Sequence, residues 1–245
     1  MAVYGISDLH LSFIKKPDLG IWQDVEEAKP MSIFGEHWRD HYKYIYENWQ
    51  AIVEPEDTVL VPGDISWGLR LSDCIYDFEY LAALNGNIII SRGNHDYWWQ
   101  SLKQVRAALP PNVEVLQHSA KLIEGKALCA TRGWLCPGAK DYDNSGEDER
   151  LYLRELLRLE MALKEAKALS DSIVVMLHYR PVNDKLEYSG FVELMKAYSV
   201  EKCLYGHIHN EDAASTFTGE HWGINFQPIT CDYLGFKPLC LWEGK

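Results

Sequence analysis

The sequence predicts an α/β protein with largely parallel strands. Three observations carry this. Short apolar runs alternate with helix-spaced apolar patterns through the first half of the chain. Asp, Asn and His recur at the ends of several of these runs, the place where the carboxyl edge of an α/β sheet offers side chains to a ligand. The length, 245 residues, suits one large domain that buries its core without disulfides.

Residues 2–7 read as the first strand, beginning almost at once, with neither a basic nor a long apolar leader. Residues 36–54 read as a helix with Tyr42, Ile45, Tyr46, Trp49 and Ile52 on one face. A second strand spans 58–62 and is closed by Gly63. A second helix spans 71–84, a third strand 87–91, and a further helix lies within 101–109, stopped by Pro110 and Pro111. The rhythm then changes. Residues 113–116, 120–124 and 126–131 are short strands, with Gly125 marking a tight turn between the last two. A long helix over 148–169 places Leu153, Leu156, Leu159, Leu163 and Ala166 on one side. Strands return at 172–177 and 202–205, and the tail from Ala213 to about Trp242 reads as several antiparallel strands. Within this single domain, residues 1–245, two connections look inserted: 11–35, with Pro17, Gly20, Pro30 and Gly35, and 132–147, rich in turn formers. Both follow strands, so each is either a solvated connector or a cover for a site at the strand ends.

The formal charge of −12 argues against a broad basic surface for nucleic acid. No apolar run reaches transmembrane length. The six cysteines form no Cys-x-x-Cys pair, and read as buried free thiols of a cytoplasmic protein in a reducing compartment.

The chemistry concentrates in five short motifs: Asp8-Leu9-His10, Gly63-Asp64, Gly93-Asn94-His95-Asp96, His178, and Gly206-His207-Ile208-His209. In extended backbone, residues two apart point the same way, so Asp8 with His10, and His207 with His209, can converge on one cation. Asp64 has two oxygens with which to bridge two cations, and Asn94 offers a neutral amide oxygen. A single Asp or His in such a place is usually a cap or a packed side chain. Here five of the nine histidines fall in the motifs, and the joint pattern points to a pair of divalent metals suited to phosphate-ester hydrolysis. His37, His41, His118 and His221 stay outside it. Mixed imidazole and carboxylate donors favour Mn, Fe, Zn or Co over Ca or Mg, with Mn the first choice.

This set of motifs resembles the calcineurin-like metallophosphoesterase superfamily, over the span Asp8 to His209. The resemblance implies a four-layer αββα sandwich, with two mixed β-sheets face to face and helices outside. It implies Asp8, His10 and His209 as ligands of one metal, Asn94, His178 and His207 as ligands of the other, and Asp64 as the bridge. A water shared by such a pair would lose a proton and attack phosphorus. By the resemblance, His95 would stabilise the transition state or protonate the leaving oxygen, and Asp96 is the candidate to orient it. Arg92, Asn94 and Arg180 are the candidate substrate contacts, and Arg132 a further one; for the arginines the ordinary alternative is a surface charge.

The aromatics Trp67, Tyr97, Trp98, Trp99 and Trp134 either shape a substrate pocket or pack loops together. The sequence departs from the protein-phosphatase branch, which carries Asp-Arg-Gly where this chain reads Asp64-Ile65-Ser66-Trp67-Gly68. The opening Ile6-Ser7-Asp8-Leu9-His10-Leu11 resembles nucleotide-linked lipid-precursor diphosphatases, which carry Arg in place of His95. The whole is most similar to an uncharacterised bacterial phosphohydrolase group. The expected activity is hydrolysis of a small-molecule phosphate mono- or diester. The alternatives are a nuclease, such a diphosphatase, or a scaffold without catalysis.

Overall fold

Runs such as Val-Leu-Val-Pro (59–62) and Ile-Val-Val-Met-Leu (173–177) are apolar along their whole length, and strands of that composition need cover on both faces. In the computed structural model, which describes residues 1–143, 145–209 and 216–244, they have it. Strands β1 (Ala2–Gly5), β2 (Thr58–Pro62), β3 (Asn87–Ser91) and β4 (Val113–Val115) lie parallel in one sheet. A second sheet has the order β5-β6-β7-β8-β10-β9, formed by β5 (Ser119–Ile123), β6 (Lys126–Thr131), β7 (Ile173–Leu177), β8 (Val200–Tyr205), β9 (Gly219–His221) and β10 (Ile224–Pro228). Its four inner strands are parallel, and its two edges are antiparallel. The last strand, β11 (Leu239–Glu243), crosses back to the first sheet and pairs antiparallel with β1.

The sheets meet through Val3, Leu60, Ile89, Leu128, Val174, Met176 and Leu204. Outside the first sheet lie α1 (His41–Ile52), α2 (Ile75–Ala82) and α3 (Leu102–Ala108), packed through Ile45, Trp49, Phe78, Leu81 and Val105. Outside the second lie α4 (Glu147–Leu169) and α5 (Gly190–Ala197), packed through Leu159, Leu163, Phe191 and Met195. Layers and cores alternate as helix, sheet, sheet, helix, the αββα sandwich expected. Among the described residues no helix is long and apolar enough to cross a membrane.

Several local expectations are corrected. Residues 36–38 form a 3-10 turn, and α1 starts only after Asp40, whose left-handed backbone (φ 56°) breaks the helix there. Residues 71–74 are likewise a 3-10 turn ahead of α2. The buried face of α4 runs through Tyr152, Glu155, Leu159, Ala162, Leu163 and Ala166, so Leu153 points to solvent. Helix α5 was not anticipated; Ser189 caps it, its Oγ accepting from Val192 N–H. The tail is not one antiparallel set: β10 is parallel to β8, and β11 belongs to the other sheet. Ala213, its expected start, lies outside the described residues, as does Asn144 in the second connection. Five cysteines are buried free thiols, whereas Cys240, on edge strand β11, is exposed.

Candidate metal centre

Parallel strands end at a common edge, and each of the five motifs begins one to three residues beyond the end of β1, β2, β3, β7 or β8. The chain turns sharply there. Asp8, His10, Asp64 and His207 all adopt the left-handed region, with φ of 61°, 48°, 52° and 72°. Such backbone costs roughly 1–3 kcal/mol per non-glycine residue and persists where the surroundings hold it. They do so here: Asp8 N–H donates to Gly63 O (3.1 Å), His10 N–H to Asp64 O (2.9 Å), and His207 N–H to both Asp8 carboxylate oxygens (3.2 and 3.1 Å). The two sheets are tied at this point because Ser7 N–H donates to Ile229 O (2.7 Å) and Cys231 N–H to Ser7 O (3.0 Å). Glycine is required twice. A Cβ on Gly63 (φ 92°) would stand 2.6 Å from Gly93 Cα, and one on Gly93 would overlap the Asp64 carboxylate.

Seven side chains converge at the junction. His10 Nε2 is 3.3 Å from His209 Nε2, and His209 Nε2 is 3.5 Å from Asp8 Oδ1. Asn94 Oδ1 is 2.5 Å from His178 Nε2 and 2.9 Å from His207 Nδ1. Between these groups sits Asp64. Its Oδ1 accepts from His95 N–H at 2.8 Å. Its Oδ2 is buried without a hydrogen-bond partner, 3.8 Å from His10 Nε2 and 3.6 Å from His178 Nε2. By distance alone, Asp8, His10 and His209 form one group able to hold a cation, and Asp8, Asp64 and His178 another, so Asp8 reaches toward both halves.

The donor chemistry fits cations. His178 Nδ1 faces Pro62 O at 3.0 Å; with the proton there, a lone pair on Nε2 confronts the Asn94 oxygen. Two acceptors in contact need a positive charge between them. Three acids share the site, and burial together with the charges of Asp8 and Asp96 drives the Asp64 carboxyl well above its usual range. Burial opposes charge on Asp8 and His209 alike. Even so, the His209 hydrogen bond and neighbouring imidazoles hold Asp8 below the usual carboxylate range, and hydrogen bonds that His209 donates to Asp232 and Asp8 push it up to about 10. Burial lowers His178 to about 4 and His207 to about 3, so both are neutral and able to ligate at pH 7.

His95 stands at the rim of a cavity of about 270 Å³ lined by His10, Met31, Phe34, Trp38, Asp64, Trp67, His207 and His209. Its Nδ1 is 3.3 Å from Tyr97 Oη, and its ring lies 4.3 Å from that of Trp67. Burial, then the Lys29 charge, lowers it to about 4. Asp96 does not orient it. Both Asp96 oxygens are taken by N–H groups of Asp64, Ile65, Ser66, Gly93 and the Trp98 indole, so this buried carboxylate shapes the loops after β2 and β3. Arg180 is buried against Asp184 (3.1 Å) and borders a smaller cavity, about 100 Å³, shared with Tyr179, Asn183 and His207. Arg92 is half-buried and sits with the charges of α4. Trp98 and Trp99 pack inward, Tyr97 is exposed, and Trp67 walls the cavity.

Other residues at the site carried no signal in the sequence reading. Asp232 accepts from His209 Nδ1 at 3.0 Å. It follows β10 as Asp64 follows β2, and the expected antiparallel tail hid it. His41, set aside with the ordinary histidines, is buried with Nε2 3.0 Å from Leu9 O and supports the first loop from behind. Lys29, with Nζ 3.1 Å above the Trp67 ring, comes with Met31 and Phe34 from the 11–35 connection. Leu135, Cys136, Ala139 and Asp141 of the 132–147 connection line the smaller cavity.

The sequence model for the family described as calcineurin-like phosphoesterase matches residues 1–211. No curated protein matches the chain. Among solved structures, the phosphopantetheinyl hydrolase of Mycobacterium tuberculosis is 12% identical with a TM-score of 0.53, the match covering 94% of this chain and 88% of that one. GAP50, the anchor in the inner membrane complex of Plasmodium, is 14% identical with a TM-score of 0.51, covering 94% and 71%. At these identities the likeness is one of fold.

Proposed function

The chain belongs to the calcineurin-like phosphoesterase family, and on that premise we propose that it hydrolyses phosphate mono- or diesters of a small molecule with two divalent cations held by Asp8, His10, Asp64, Asn94, His178, His207 and His209. Metal-dependent phosphoester hydrolysis is the activity of the family, and the chain is a hydrolase. One observation supports a pair rather than a single ion. Asp64 Oδ2, buried and without a hydrogen bond, faces His10 on one side and His178 on the other.

The cations, when bound, supply Lewis acidity: they make water a nucleophile near pH 7 and spread the charge of the phosphoryl oxygens. The chain's own residues do the rest. His10 and His209, with Asp8, would hold one cation, Asn94, His178 and His207 would hold the other, and Asp64 would serve both. Asp232 and Pro62 O fix the ring orientations of His209 and His178. His95 is neutral at pH 7. With Nδ1 accepting from the Tyr97 hydroxyl, it keeps Nε2–H to donate to a phosphoryl oxygen or to the leaving oxygen. Met31, Phe34, Trp38 and Trp67 exclude water beside it and take the ester's organic group. Mn²⁺ suits these donors best, and five buried free thiols fit a cytoplasmic setting.

The test is turnover of p-nitrophenyl phosphate and its bis ester. Chelation is expected to abolish it, added Mn²⁺ to restore it, and Asp64→Asn to remove it while lowering bound metal below two per chain. Turnover indifferent to chelator overturns the reading. So does silence of the metal-loaded protein toward both esters and nucleotides, whereas cleavage of nucleic acid alone points to a nuclease.

A further inference from the structure

A second group of charges borders the metal cluster. Glu155, on the inner face of α4, is buried. Its Oε2 accepts from Thr131 Oγ1 (2.6 Å), and its Oε1 from Arg158 (2.6 Å) and Arg154 (3.0 Å). Arg92, after β3, and Arg132, after β6, are half-buried within electrostatic range of Glu155 and Arg154. Two guanidinium groups thus pair with a carboxylate whose two oxygens are already occupied, and two more act on it electrostatically. Arg92 Nε is buried with no hydrogen-bond partner, and the Arg132 guanidinium lies 4.3 Å from the centre of the Trp134 ring. These four guanidinium groups face only two buried acids, Glu155 and Asp96, and the cost of holding the surplus positive charge partly out of water is offset if an anion joins them. In a chain of net −12, such a concentration of arginine is not a general surface property.

The group is placed to serve the reaction. Arg92 is two residues from Asn94, and the Arg132 carbonyl accepts from the backbone N–H of His178 (3.1 Å) and Tyr179 (3.0 Å). Arg154 and Arg158 keep about a third of their side chains exposed, 36% and 33%, so the group is open to solvent.

We propose that Arg92, Arg132, Arg154 and Arg158 bind a second phosphoryl group of the substrate, beside the one that is cleaved, so that the substrate class is a small molecule carrying two phosphoryl groups. This rests on the phosphoesterase reading above. Planar guanidinium forks match phosphoryl oxygens two at a time.

The test compares mono- and bisphosphates of straight-chain diols of several lengths by release of inorganic phosphate from the Mn²⁺-loaded protein. The expected result is a kcat/KM at least about tenfold higher for the best bisphosphate, the scale of one charged hydrogen bond. Arg158→Gln and Arg132→Gln should each reduce that ratio about tenfold, and Arg158→Lys, which keeps the charge without the fork, by less. A wild-type ratio near one, or a ratio untouched by the substitutions, overturns the proposal. If no ester is turned over, the phosphoesterase reading fails, and calorimetric titration of the chelator-treated chain with butanediol bisphosphate decides the anion site alone. Binding weakened by Arg158→Gln upholds it; no binding, or equal binding, overturns it.

Discussion

The half of the candidate ligand cluster around His10 and His209 looks into a cavity walled by Met31, Phe34, Trp38 and Trp67, while the half around Asn94, His178 and His207 is backed by Tyr179, whose ring centre lies 4.2 Å from that of His207, and bordered by arginines. Both halves are made the same way, from residues placed just beyond parallel strands. They differ in what the neighbouring connections bring. The 11–35 connection delivers apolar and aromatic surface with one cation, Lys29, over Trp67. The 132–147 connection and α4 bring guanidinium groups. On the proposed function, the contrast amounts to a division of labour: the aromatic side would take the organic part of an ester and exclude water, and the other would take negative charge.

Three substitutions probe that division. His95→Ala is expected to lower kcat about 10²–10⁴-fold, the usual worth of a positioned proton donor, with bound metal unchanged. The loss should be smallest for the best leaving groups. If metal content falls in parallel, His95 is structural and the aromatic side has no chemical role. Asp232→Asn, which weakens the partner of His209 Nδ1, should weaken binding of one cation about 10–100-fold and leave the other in place. Metal titration followed by elemental analysis reads this, and equal weakening of both cations breaks the idea of separable halves. Phe34→Ala should raise KM about fivefold for aryl esters, the order expected for one aromatic contact, and leave alkyl esters unchanged. An equal rise for both means that the wall is not selective.

The convergence of the five motifs was legible because parallel strands convert a local signal, an apolar run followed by Asp, Asn or His, into a common location. Asp64, Asn94 and His178 stood out only as members of that joint pattern. Asp232 obeys the same rule but was masked, since strand direction in the tail depends on β10 lying beside β8, a long-range fact absent from local pattern. The orienting role given to Asp96 failed for a related reason. Adjacency to His95 says nothing of where a carboxylate points, and five N–H groups draw this one the other way. Lys29 and Phe34 sit in a connection without periodicity, so only the folded chain brings them to the rim. The outward turn of Leu153 shows the limit of helical spacing: it identifies α4, yet not which of two adjacent apolar stripes faces the sheet.

The crossing of β11 to the first sheet bears on biosynthesis. Until residues 239–243 have emerged from the ribosome, the outer edge of β1 has open backbone donors and acceptors, an invitation to pair with another nascent chain. Asp232, the partner of His209, lies between β10 and β11. The candidate site therefore cannot be completed before the segment through Asp232 has been made, and a chain stopped short of β11 would leave the β1 edge uncovered.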